Sequence, residues 1–167
     1  MKKEELKTPC YIVQEKKIRE NLEILNSVIH DTGCRILLAQ KAFSMYSLYP
    51  MIKKYLSGTT ASGLYEAKLG REYMPAGEVH TFSGAYREDE IDEIIKVSDH
   101  VVFNSIGQLK KYGKLVKDAG KSVGIRINPE HSTQEGHAIY DPCAPGSRFG
   151  VTKRQWDSLM DDETFSL

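Results

Sequence analysis

Polar side chains follow several of the short apolar runs in this sequence, and one of them is a lysine. Lys41 lies two residues past the end of the apolar run 35–39, between Ala39 and Ala42. A lysine amine that is partly removed from water has a lowered pKa and is a better nucleophile. Lysine at such a position is also common as a solvated loop residue. Lys41 is therefore the first candidate for covalent chemistry, with a loop role as the alternative.

Three further residues are candidates for binding a ligand near Lys41. Ser62 precedes an amphipathic stretch and Glu66 lies in its first turn, a pattern that also fits simple helix capping. Arg126 is a cation inside the otherwise apolar run 122–127. Since a buried arginine needs an anionic partner, Arg126 is expected to bind either a ligand or a carboxylate of the protein.

Short apolar runs alternate with helix-like stretches and must position these side chains. The runs are 35–39, 59–61, 79–82, 100–103 and 122–127. Marker residues within them lie 20–23 residues apart, which is the spacing of βα units: Ile36, Thr59, Val79, Val101 and Gly124. The sequence therefore predicts a parallel sheet covered by helices, the α/β class.

Two α/β architectures fit this pattern, an open doubly wound sheet and part of a (βα)8 barrel. In both, reacting groups gather where the parallel strands end. An open sheet that binds dinucleotides has a glycine-rich turn after its first strand, and no G-x-G-x-x-G motif occurs in this sequence. A dinucleotide-binding sheet is therefore disfavoured.

Charge and hydropathy limit the classes of partner. The 167 residues contain 23 Lys+Arg and 23 Asp+Glu, so the formal net charge is zero. A nucleic-acid or anionic-membrane binder normally carries a basic surplus, and no apolar run approaches the roughly 18 residues of a membrane span. The three cysteines form no C-x-x-C pair. We expect a cytoplasmic protein with a small-molecule ligand and reduced thiols.

The segment 130–151 interrupts the regular alternation of strands and helices. A loop this long inside a compact domain is usually functional, and we expect it to fold over the mouth of the site. It contains His131 and His137 near two glutamates, but their spacing matches no metal-ligand motif. No metal is predicted.

Taken in order, five segments of the chain resemble one enzyme family. They are Thr8–Val13, Ala39–Ser44, Ala61–Ala67, Gly124–Pro129 and Tyr140–Gly150. Together they are similar to carboxynorspermidine (carboxyspermidine) decarboxylases. These enzymes are relatives of diaminopimelate and ornithine decarboxylases in the alanine-racemase-like (fold type III) pyridoxal-phosphate group.

The resemblance implies a (βα)8 TIM barrel of which about five of eight βα units are present. Residues 1–167 would be the N-terminal part of the pyridoxal-phosphate-binding barrel, without the C-terminal β-domain of the family. It also implies that Lys41 binds pyridoxal 5′-phosphate covalently and that Ser62, Glu66 and Arg126 line the cofactor pocket.

The implied activity is decarboxylation of carboxynorspermidine or carboxyspermidine to norspermidine or spermidine, by a homodimer acting on a polyamine-type substrate. Ser147, Arg148 and Phe149 match a family segment whose role is either structural or substrate contact. Two alternatives remain open from the sequence. One is a diaminopimelate-type decarboxylase or racemase of the same fold, and the other is a non-catalytic fragment.

Overall fold

The computed structural model describes residues 5–133, 135–136, 138–163 and 165–167. His137, one of the two histidines in the long loop, lies outside the described residues. Five strands form one sheet: β1 (Leu37–Ala39), β2 (Gly58–Ala61), β3 (Glu78–Phe82), β4 (His100–Phe103) and β5 (Ser122–Ile125). Each predicted apolar run coincides with one of these strands, although β2 and β3 begin one residue before their runs.

All neighbouring strands in this sheet are parallel, and their order is β1-β2-β3-β4-β5. This sequential order is that of a (βα)8 barrel, whereas a doubly wound sheet reverses direction at a switch point. The predicted five βα units of a barrel are thereby confirmed. Beyond β5, an isolated parallel bridge joins Ile127 to Val151.

Helices connect the strands and cover one face of the sheet. They are α1 (Glu15–Thr32), α2 (Tyr49–Ile52), α3 (Leu64–Tyr73), α4 (Ile91–Val97), α5 (Ile106–Asp118) and α6 (Lys153–Met160). Short 3-10 turns occur at Tyr46–Leu48 and Ala138–Tyr140. The first helix ends before Gly33, because this glycine adopts the left-handed conformation with φ 70°.

Alternation along the strands divides their side chains between two faces. Val79, Thr81 and Val101 are fully buried against the helices, whereas Glu78, His80 and His100 alternate with them and are partly exposed. The second set lies on the face that would line the inside of a barrel.

Among the described residues, no helix is both long and apolar enough to cross a membrane.

Asp99 joins α3 to the amino ends of β3 and β4. Its Oδ2 accepts hydrogen bonds from the Val79 N–H at 2.8 Å and from Arg71 Nη2 at 2.5 Å. Arg71 also donates to the backbone carbonyls of Pro75, Gly77 and Val97. Partial burial opposes ionisation of Asp99, but these donors lower its pKa below the ordinary value.

Replacing Asp99 with asparagine is expected to destabilise the fold by about 1–3 kcal/mol at pH 7, because a charge-assisted pair is lost. Since the folded-state pKa is depressed, the carboxylate stabilises the protein above its unfolded pKa, and this contribution disappears as pH falls through the folded value. Urea denaturation of both proteins across pH should show the difference shrinking below about pH 4. A difference that grows on acidification would contradict this assignment.

Candidate functional site

A cleft of about 790 Å³ lies at the carboxyl ends of the strands. Its lining includes three of the four predicted site residues, namely Lys41, Ser62 and Arg126. Residues from the ends of β3 and β4 and from the long loop complete it: Phe82, Ser83, Gly84, Ala85, Asn104, Pro142, Arg148 and Phe149. The long loop therefore borders the cleft, as expected.

Lys41 lines the cleft, and its neighbour Gln40 is buried on the helix-covered side of the sheet. The Gln40 side chain is buried, and its amide nitrogen donates to the carbonyls of Glu66 at 2.8 Å and Thr60 at 3.2 Å. Its amide oxygen accepts a hydrogen bond from the Tyr49 hydroxyl at 3.1 Å. Lys41 itself is exposed, not partly desolvated as expected. The interior face of this five-stranded sheet is open to solvent.

Ser62 and Glu66 form one local unit at the start of α3. The Ser62 backbone N–H donates to Glu66 Oε2 at 2.7 Å. This contact is of the capping type that the sequence allowed, with a carboxylate beside the positive end of the helix. Ser62 lines the cleft, whereas Glu66 supports the turn that carries it.

Arg126 is half-buried between two aromatic rings. Its guanidinium carbon lies 5.1 Å from the centroid of the Phe82 ring and 4.6 Å from that of Phe149. Both are within the range of cation–π attraction. Among the residues that the structure describes, no carboxylate pairs with this guanidinium. Its role as a ligand contact stays a prediction.

Asn104 attaches the long loop to the end of β4. Its side-chain nitrogen donates to the Arg148 carbonyl at 2.9 Å, and its side-chain oxygen accepts from the Gly150 N–H at 2.9 Å. Because these bonds flank Phe149, Asn104 holds that ring against Arg126. No local pattern in the sequence indicates this role, because the two partners of Asn104 lie 44 and 46 residues away.

Gln108 and Tyr86 fix the ends of β3 and β4 relative to each other. The Gln108 side chain accepts from the Asn104 N–H at 2.8 Å and donates to the Gly84 carbonyl at 3.1 Å. The Tyr86 hydroxyl lies 2.8 Å from the Val102 carbonyl oxygen, and burial raises the pKa of this phenol. These contacts make the floor of the cleft rigid.

Changing Asn104 to alanine is expected to cost about 1–3 kcal/mol of stability, because a carbonyl and an N–H of the loop, in part-buried hydrogen bonds, lose their partner. The aspartate variant is a matched control that keeps an acceptor for Gly150 but loses the donor to Arg148. Because this variant turns a charged oxygen toward the Arg148 carbonyl, it should also be less stable than the unaltered protein. Urea denaturation gives the energies, and hydrogen exchange should show faster exchange confined to residues 147–151 in the alanine variant. Unchanged exchange there would contradict the anchoring role.

The chain is similar to curated decarboxylases over most of its length. A carboxynorspermidine/carboxyspermidine decarboxylase of Campylobacter jejuni is 41% identical over 156 residues, which are 93% of this chain and 40% of that protein. A carboxyaminopropylagmatine decarboxylase of Synechocystis is 36% identical over 146 residues, covering 87% of this chain and 37% of that protein. No family model matches the chain.

A solved structure agrees with this similarity. The crystal structure of carboxynorspermidine decarboxylase from Campylobacter jejuni, complexed with norspermidine, matches with a TM-score of 0.78 and 37% identity. The match covers 97% of this chain and 39% of that one. The chain thus spans about 40% of the length of its curated relatives. These findings confirm the resemblance expected from the sequence: nearly the whole chain is similar to part of the carboxynorspermidine/carboxyspermidine decarboxylases.

Proposed function

We propose that this chain supplies the cofactor-binding lysine and part of the barrel of a pyridoxal-phosphate-dependent decarboxylase. The observation that carries the proposal is that Lys41 and Arg126 lie in one cleft at the strand ends of a sheet similar to that of a carboxynorspermidine decarboxylase. Other parts of the protein would complete the barrel and the site, since the relatives are longer than the region matched here.

The residues present fit pyridoxal phosphate on the chemistry of their donors. An exposed amine can bind an aldehyde covalently, and Lys41 offers one. A guanidinium without a carboxylate partner among the described residues can bind an anionic group of cofactor or substrate, and Arg126 offers that. We propose Ser62 as a further cofactor contact, with Glu66 acting through its hydrogen bond to the Ser62 N–H.

Pyridoxal phosphate, when bound, supplies an electron-accepting ring that stabilises the electron pair left behind by departing CO2. Lys41 would hold the group, and its amine, when free, would move a proton to the substrate carbon that lost CO2. Phe82 and Phe149 shield the Arg126 guanidinium from water, which strengthens its attraction for an anion.

The substrate class follows from the relatives. We propose a carboxylated polyamine such as carboxynorspermidine or carboxyspermidine, named in the proteins from Campylobacter jejuni and Herminiimonas arsenicoxydans. The Synechocystis relative adds carboxyaminopropylagmatine as a second candidate. These names favour an elongated cationic substrate over the diaminopimelate of the alternative considered above.

Borohydride reduction followed by peptide mapping tests the cofactor assignment. The full-length protein is incubated with pyridoxal phosphate, reduced and digested, and the modified lysine is identified by mass. We expect the label on Lys41. A label on another lysine, or none, would contradict the proposal and favour the non-catalytic alternative.

Substrate choice needs a separate measurement. The release of CO2 from the three carboxylated amines and from diaminopimelate should be compared at equal concentration. Turnover of diaminopimelate alone would overturn the polyamine assignment while leaving the cofactor assignment intact.

We further propose a homodimer, as the family resemblance implies, which sedimentation of the full-length protein would test.

A further inference from the structure

Two histidines and a glutamate lie together at the amino end of the sheet, away from the cleft. Glu78 and His80 are two residues apart on β3, so their side chains share one face. His100 is the register partner of His80 on β4 and lies on the same face. Because β3 rises about 3.3 Å per residue, Glu78 is about 13 Å from Phe82 at the cleft.

The side chains are close enough to share a ligand. His80 Nε2 is 3.0 Å from Glu78 Oε2, and His100 Nε2 is 3.9 Å from the same oxygen. One ligand atom from each of the three residues lies within 4.8 Å of the other two. The two imidazole rings are 3.9 Å apart between centroids, with an angle of 32° between their planes.

We propose that Glu78, His80 and His100 bind a divalent transition-metal ion of the Zn²⁺ type. Two imidazole nitrogens and one carboxylate oxygen are a known ligand set for zinc, which leaves a fourth position for water. Bonds of about 2.0–2.1 Å place tetrahedral ligand atoms about 3.3 Å apart. The two imidazoles would have to turn away from their present stacking for both Nε2 atoms to face one ion.

The surroundings leave these ligands available. Arg35 pairs with Oε1 of Glu78, while Oε2 faces both imidazoles. The Arg35 side chain is 68% exposed and can turn into solvent when a cation binds. Asp99, next to His100 in sequence, is engaged by Arg71 and by the Val79 N–H, and we do not assign it as a ligand.

The sequence predicted no metal, because the spacing of the loop histidines His131 and His137 matches no ligand motif. The cluster combines residues 78, 80 and 100, a spacing that matches no ligand motif. Only the pairing of β3 with β4 brings them together. The site is independent of the proposed decarboxylation, and neither its presence nor its absence affects that assignment.

Titration calorimetry with Zn²⁺ alone tests the proposal on tag-free full-length protein stripped with a chelator. We expect one Zn²⁺ to bind at this site. Loss of a second-shell partner costs a metal site about 10- to 100-fold in affinity, so losing a ligand should cost at least about tenfold. Glu78→Gln, His80→Gln and His100→Gln should each show this loss with unchanged circular dichroism.

His131→Gln is the matched control, because His131 is exposed beyond the opposite end of the sheet and should leave the affinity unchanged. Arg35→Gln should bind Zn²⁺ at least as tightly as the unaltered protein, since a competing cation is gone. Equal affinity in the unaltered protein and the three ligand variants would overturn the proposal, as would weaker binding by Arg35→Gln.

A spectroscopic measurement on the unaltered protein does not depend on the folding of any variant. Co²⁺ is substituted for Zn²⁺ and the visible spectrum is recorded. An intense band, typical of four-coordinate Co²⁺, supports the site. A spectrum indistinguishable from that of hydrated Co²⁺ overturns it.

Discussion

Replacing Lys41 with alanine is expected to abolish covalent retention of pyridoxal phosphate by the full-length protein. The rate of decarboxylation should fall by about 10²- to 10⁴-fold, the range for loss of a positioned acid–base group. Lys41 is the lysine that lines the cleft described here, and Gln40 fixes the backbone that presents it. Its loss would remove the covalent bond and the proton-carrying amine together.

Two further variants separate the amine from its charge and from general effects. Lys41→Arg keeps the positive charge but offers no amine that condenses with an aldehyde, so it should be as inactive as alanine. Lys53→Ala removes an exposed lysine next to α2 and should leave both cofactor retention and rate unchanged. Absorbance of the bound cofactor and CO2 release give the two readouts. Full activity in Lys41→Arg would refute covalent binding at this position.

Replacing Gly58 with alanine is expected to cost about 3 kcal/mol of stability, at the upper end of the range for overpacking. Gly58 opens β2 and pairs with Glu78 at the start of β3. An added Cβ would lie 2.5 Å from the Glu78 nitrogen and 2.8 Å from its carbonyl carbon, and closer still to the oxygen. These are backbone atoms in a sheet, so they cannot move aside without disturbing the pairing of the strands.

Gly107→Ala is the control for this substitution. Gly107 is exposed in the first turn of α5, and its added Cβ would come no closer than 3.9 Å to another group, the Ser105 hydroxyl. The loss of chain entropy in the unfolded state should then stabilise the protein by about 0.4–1 kcal/mol. Chemical denaturation of both variants measures the contrast. Equal stability of the two would show that the close approach at Gly58 is relieved without cost.

Local periodicity was sufficient to predict the sheet and its helices. Apolar runs 20–23 residues apart predicted five βα units, and each run overlaps one of the five parallel strands. The ends of the strands were less well predicted. The first strand begins at Leu37, two residues after the start of its run, and the last strand ends at Ile125, two residues before the end of its run. Hydrogen bonding to a neighbouring strand sets these ends, and the types of the residues alone predict that pairing poorly.

The periodic strands also predicted part of the candidate site. Lys41, Ser62 and Arg126 each follow or lie in a strand, and the carboxyl ends of parallel strands meet at one edge. The expected burial of Lys41 was wrong, because exposure depends on what covers the interior face and not on the flanking alanines. The contact expected between Glu66 and a cofactor stays a prediction. In the structure, the Glu66 carboxylate accepts a hydrogen bond from the Ser62 N–H.

The sequence by itself determined the class of fold, the resemblance to a decarboxylase family and the position of Lys41 after the first strand. Each of these depends on short segments whose pattern can be recognised locally. Only the tertiary structure decided that Phe82 and Phe149 enclose Arg126 and that Asn104 holds the loop beside them. It also brought His80 and His100 face to face. Such contacts join residues 20 or more positions apart, and their distances are set by strand register and loop anchoring, which no local pattern encodes.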